Sequence, residues 1–92
     1  MRINIDHDGY PTDESLERLE ACLDPIESLD AVADYLICCG YGTAKKRGNY
    51  WRFATGGWSG CESVINAISP VVHGLAWRSS HRGGLHIYMV PK

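Results

Sequence analysis

Thr55-Gly56-Gly57-Trp58-Ser59-Gly60-Cys61-Glu62 reads as the end of a strand, a glycine turn and the start of a capped helix. Ser59 and Glu62 have the spacing of a capping box, in which the hydroxyl accepts from the amide of residue 62 and the carboxylate returns to the amide of residue 59. A helix N-terminus carries unpaired amides and a partial positive charge, and glycines let a ligand approach the backbone. Gly56, Gly57 and Gly60 supply that access. Trp77-Arg78-Ser79-Ser80-His81-Arg82-Gly83-Gly84 adds cations and a second glycine pair that can fold back beside the first turn. Arg82 or Arg78 then offers a bidentate fork to phosphate or carboxylate. The candidate anion site comprises Thr55, Gly56, Gly57, Trp58, Ser59, Arg78, Ser79, Arg82 and Gly83. The competing reading is a purely structural corner, with Trp58 as a core anchor.

Upstream, Met1 to Ile5 alternates like a short strand, and Asp6-His7-Asp8-Gly9-Tyr10-Pro11 has the composition of a turn. A helix begins near Thr12, capped by Thr12 or Asp13, with Leu16, Leu19, Cys22 and Leu23 on one face. Asp24-Pro25 ends it and starts a second, in which Ile26, Leu29, Val32, Ala33, Leu36 and Ile37 form the inward stripe while Glu27, Asp30 and Asp34 face water. Gly40 or Gly42 stops that helix. A basic strand or loop follows at Thr43 to Arg47, then a turn at Gly48-Asn49 and a strand from Tyr50 to Thr55. The third helix runs from Gly60 to about Ile68, where Ser69-Pro70 terminates it. Leu75 to Ser79 and Leu85 to Val90 form a hairpin around Ser80 to Gly84. The fold class is α+β: a small antiparallel sheet with about three helices packed on one face, in a single domain spanning 1–92.

The pair T-G-G-W-S-x-x-E and W-x-S-x-x-R-G-G resembles a motif pair of small uncharacterised proteins from tailed bacteriophages, over roughly Asn49 to Tyr88. The N-terminal third is looser, and Cys61 stands where the resemblance has a polar residue. The resemblance implies a phage origin and a shared structural unit, and it carries no reaction with it.

With 92 residues the chain buries roughly 60 to 65% of its unfolded surface, too little for a large enzyme cleft. Its 45% apolar content, three Trp and five Tyr exclude a disordered tail. No signal peptide develops after Met1, and the uncharged run Tyr35 to Ala44 is short of the roughly 18 apolar residues that a spanning helix needs, so the expected location is the cytoplasm. Charge divides sharply: residues 1–44 hold ten acids against Arg2 and Arg18, and residues 45–92 hold seven bases against Glu62. Either acidic helices lie over a basic sheet and the two attract, or the molecule is bipolar and steers charged partners.

Cys61 near a helix N-terminus, with His73, His81 or His86 as base, is the one arrangement for nucleophilic catalysis, but the G-x-S-x-G elbow is absent. The four cysteines are expected as free, mostly buried thiols, and neither their spacing nor that of the histidines implies a metal or cofactor. Lys45, Lys46, Arg47, Tyr50, Trp51, Arg52, Trp77, Arg78, His81, Arg82, His86 and Tyr88 interleave cations with aromatics as single-strand nucleic-acid binders do, although alternation sends Trp51 or Trp77 to the core and the chain is acidic overall.

The leading expectation is a non-enzymatic phage-type protein that binds and modulates a host protein, for example as a host-defence inhibitor of the anti-CRISPR kind. Its acidic face, Glu17, Glu20, Glu27 and Asp30, would mimic nucleic-acid phosphate. The alternatives are a module or minimal enzyme for a phosphate-bearing small molecule at the Thr55–Glu62 helix N-terminus, and a single-stranded nucleic-acid binder. An edge strand of the final hairpin also offers a route to a homodimer.

Overall fold

Two of the three helices start where a short polar side chain satisfies first-turn amides. The computed structural model describes residues 2–39, 42–56, 58–75, 77–81 and 84–90, with the backbone alone over 69–75 and 77–81. Helix α1 is Asp13–Ala21, and its N-cap Thr12 accepts from the Ser15 amide at 3.3 Å. Helix α2 is Pro25–Cys39, where Asp24 Oδ1 accepts from the amides of Ile26 and Glu27 at 3.0 and 3.3 Å. Strands β1 (Thr43–Arg47) and β2 (Tyr50–Ala54) follow, then α3 (Ser59–Leu75), β3 (Trp77–His81) and β4 (Leu85–Met89).

The strands form one antiparallel sheet in the order β1-β2-β4-β3. Because β2 and β3 are both antiparallel to β4, they run parallel to each other, and α3 is the crossover that joins them. Trp51, Phe53, His86 and Tyr88 are buried, whereas Arg52 and Met89, at alternate positions, are exposed. One face of the sheet therefore meets the helices. Its rings pack into one cluster with Leu19, Leu29, Val32, Leu36, Val64, Ile65 and Ile68. Phe53 and Tyr88 lie 5.6 Å apart, and burial of such a ring contributes about 1.5–3 kcal/mol.

Four local expectations change. The N-terminal segment makes only an isolated bridge, Ile5 to Pro11, because the chain turns back at once through Asp6 to Tyr10. It is pinned instead by Ser15, buried on α1, whose hydroxyl accepts from the Asn4 amide at 2.8 Å and from Arg18 at 3.1 Å. Helix α1 ends before Cys22, so Leu23 leaves the expected inner face and is 83% exposed.

On α2 the period holds but the phase is rotated. The buried positions are Ser28, Leu29, Ala31, Val32, Tyr35 and Leu36, while Ile26 and Ile37 stay outside. Tyr35 drives that rotation, since its hydroxyl finds the Gly9 carbonyl at 2.8 Å and its ring can then be buried. Helix α3 continues through Pro70 to Leu75, beyond the expected stop at Ile68. An interior proline costs about 3 kcal/mol, and here the packing of α3 along α1, α2 and β3 outweighs it. Leu75 accordingly ends a helix and does not open the hairpin, and the expected stop at Gly40 lies outside the described residues.

Candidate functional site

The two glycine turns do meet. Thr55, fully buried, donates its amide and its hydroxyl to the Gly84 carbonyl at 2.9 and 3.1 Å. Gly56 takes φ +64°, a region that side chains disfavour, and the chain turns so that the Trp58 amide reaches the Thr55 carbonyl at 3.2 Å.

The expected capping box is not formed. Helix α3 starts at Ser59 itself, one residue too early for its hydroxyl to serve as the cap, and the Glu62 amide pairs with the Trp58 carbonyl at 3.1 Å. The Ser59 hydroxyl donates to Tyr10 Oη at 3.1 Å, and Glu62 Oε2 lies 3.1 Å from Nε2 of the buried His86. The Trp58 ring folds over Gly60, where a Cβ would fall within 2.9 Å of three ring atoms, and it packs on Tyr10 with centroids 4.7 Å apart. Gly60 thus makes room for the chain's own indole, and an aromatic pair sits over the helix start. Arg78 and Ser79 lie in β3 opposite Tyr88 and Ile87, with side chains outside the described residues, as are Gly57, Arg82 and Gly83.

Cys61 is no activated nucleophile. Burial and the neighbouring Cys39 thiol, 3.8 Å away, push its pKa up to about 12, the opposite of what a helix N-terminus alone would do. All four thiols are free as expected, but only Cys61 is buried: Cys38 is exposed, and Cys22 and Cys39 are half-buried. Among the described residues, no three His, Cys, Asp or Glu side chains converge as metal ligands, and no helix is long and apolar enough to cross a membrane.

Of the four acids expected on one partner face, Glu17, Glu20 and Glu27 are exposed on α1 and α2. Asp30 is engaged within the fold. Its carboxylate accepts from Trp51 Nε1 at 3.0 Å and pairs with Lys46 Nζ at 3.1 Å, and that ammonium lies 5.0 Å from the Trp51 ring centroid. The attraction between the acidic half and the basic half is realised here, where it ties α2 to the β1–β2 hairpin.

The opposite face of that hairpin carries no helix. Register places Arg47, Tyr50 and Met89 in one row across the sheet, and Lys45, Arg52 and Ile87 in the next. Lys45, Arg47 and Arg52 are exposed and have no carboxylate partner among the described residues, and no strand residue is acidic. A shallow groove of about 280 Å³ runs over Lys45, Lys46, Arg47, Tyr50 and Arg52. Alternating cations and an aromatic ring were legible in the sequence here, with Trp51 separated from them by its parity in the strand. A larger groove, about 630 Å³, opens between the N-terminal segment and α2, lined by Arg2, Ile5, Asp34, Ile37 and Cys38 among others. Sequence reasoning missed it, because Ile37 reads as an inward residue.

Helices on one side of a four-stranded antiparallel sheet, and cations on the other, define a small α+β protein with an open sheet face. No family model, curated protein or solved structure matches this chain.

Proposed function

We propose that this chain is a non-enzymatic binding protein that works through charge-segregated surfaces, and that the uncovered face of its sheet holds an anionic partner. One observation carries this reading: Lys46 is neutralised by Asp30 on the helical side of the hairpin, whereas Lys45, Arg47 and Arg52, on the other side, have no such partner among the described residues. Cations left unpaired on one face attract a ligand of opposite sign and steer its approach. A small anion at the Thr55–Glu62 corner is less well supported, since Ser59, Glu62 and the Trp58 ring are engaged by Tyr10, His86 and Gly60. The resemblance to small phage proteins supports a bacterial cytoplasm as the setting. Amide chemical shifts of the 15N-labelled protein, titrated with polyglutamate, test the reading. Shifts at residues 45, 47, 50, 52, 87 and 89 are expected; shifts confined to 55–62 would transfer the site to the helix corner.

A second reading keeps the partner on the acidic layer, because Glu17, Glu20 and Glu27 remain exposed there. In that case the helices imitate phosphate toward a basic groove of a host protein, as an inhibitor of host defence such as an anti-CRISPR would. Glu17→Gln, Glu20→Gln and Glu27→Gln together then abolish a salt-sensitive host partner in pull-downs. Its retention by the triple variant refutes the reading.

A further inference from the structure

Resting on the open-face reading, we infer that the partner of this face is a single-stranded nucleic acid. The spacing of the charges is the first reason. Residues two apart on a strand are ~6.7 Å apart and adjacent strands ~4.8 Å apart, so Lys45, Arg47 and Arg52 are spread across neighbouring positions of β1 and β2. Lys45 and Arg52 are direct cross-strand partners that line one small pocket, so a single compact anion can meet that pair, whereas Arg47 stands one row further along and is reached together with them by a chain that carries a charge at every unit.

The surfaces between the cations are the second reason. Tyr50 stands directly opposite Arg47 in the pairing of β1 with β2, two residues from Arg52, and it lines the same groove as the three cations. Ile87 and Met89 continue the two rows onto β4. A flat base stacks on such a phenol ring while its phosphate takes the neighbouring guanidinium or ammonium, and this combination is tolerant of sequence. An acidic peptide matches the cations but has no flat ring in each unit to use Tyr50. A duplex keeps its bases stacked and paired, so it offers Tyr50 no free base face and leaves this surface only its phosphates. The chain's overall negative charge does not oppose the contact, because the acids sit with the three helices and the N-terminal turn while none of the strands carries one.

The test is fluorescence anisotropy of the whole chain with labelled dT12 and rU12, against polyglutamate and a 12-base-pair duplex, between 25 and 200 mM salt (about an eightfold range). Three phosphate contacts on a single strand predict a log–log salt slope of about −2. The triple variant Lys45→Gln, Arg47→Gln and Arg52→Gln, all exposed positions, removes the slope with the binding. Tyr50→Leu keeps an apolar side chain on the strand and weakens dT12 about tenfold by loss of stacking, with little change in slope. Circular dichroism verifies that each variant is folded. If polyglutamate binds as well as dT12 and Tyr50→Leu changes neither, the nucleic-acid inference is overturned and the anionic-partner reading survives. Tighter binding of the duplex than of the single strands also overturns it. If no polyanion binds at 25 mM salt, where about three phosphate contacts count most, both readings fall.

Discussion

Gly42, the residue before β1, lies hard against the rest of the fold, so adding one methyl group there measures that approach. A Cβ on Gly42 falls 2.7 Å from the Ala54 carbonyl oxygen, 3.2 Å from Leu36 Cγ and 3.3 Å from Cys61 Sγ. The first neighbour is backbone of a central strand and cannot swing aside. Overpacking of this kind costs about 1–3 kcal/mol, and the alanine recovers about 0.4–1 kcal/mol by restricting the unfolded chain. Gly42→Ala is therefore expected to lose about 1–2 kcal/mol net, or roughly 5–15 °C in Tm for a domain of this length. Urea unfolding followed by circular dichroism reads the loss as a lower midpoint with an unchanged slope. Gly48 is the comparison. It has φ +62° and open space around it, so Gly48→Ala costs about 1 kcal/mol from backbone strain alone. Enlarging the residue from Ala to Val should deepen the loss at position 42 much more than at 48. A Gly42→Ala protein as stable as the parent, or an identical size dependence at both positions, refutes the packing of α2, β2 and α3 around this point.

Four further outcomes follow from other contacts of the fold. Asp30→Ala leaves the Trp51 indole N–H without its acceptor and costs about 1–3 kcal/mol, most of it from that hydrogen bond because the exposed Lys46 pair contributes only about 0–1 kcal/mol; Asp30→Asn, which keeps an acceptor, should cost less than half as much in urea melts. The Cys61 thiol, raised from an ordinary 9.0 to about 12, stays protonated in the fold while the unfolded chain ionises, so stability is full below pH 9 and falls as pH climbs toward 12; burial acts on the Tyr35 phenol in the same direction. Urea midpoints at pH 7.5 and 10 check this, and Cys61→Ala should flatten the decline. Iodoacetamide at pH 8 labels the exposed Cys38 first and Cys61 only on unfolding, as mass spectrometry of digests resolves. Finally, Gly60→Ala displaces the Trp58 ring from its seat against Tyr10, which cancels the helix propensity gained, about 1 kcal/mol; near-ultraviolet dichroism should change while Tm hardly moves.

The helix starts at Thr12 and Asp24 and the strands β2 and β4 are local events, written in caps, alternation and turn residues within a few positions of each other, and each was legible to within a residue or two, whereas Thr43 to Arg47 read as strand or loop until its pairing with β2 made it a strand. The corner at Thr55–Glu62 shows where that legibility ends. Its strand-turn-helix outline was readable, but the partners of Ser59 and Glu62 were not, because the capping box was displaced by Tyr10 and His86 from 49 residues upstream and 24 downstream. Pro70 was misread for a related reason: its cost is local, and the packing that offsets it comes from α1, α2 and β3.

By itself the sequence determined where the helices begin, where β2 and β4 lie and which of their positions are apolar, and that acids and bases are divided between the two halves of the chain. Those properties depend on neighbours in the chain, where spacing is known in advance. Tertiary structure alone decided the strand order β1-β2-β4-β3, the rotation of α2 about its axis, and the split of Lys46 from Lys45 and Arg47 by the Asp30 pair. Each of these compares contacts between distant residues whose energies are similar in several arrangements. Only when the whole core is assembled does one arrangement bury Tyr35 and Trp51 with their hydrogen bonds made, and leave one cationic face uncovered.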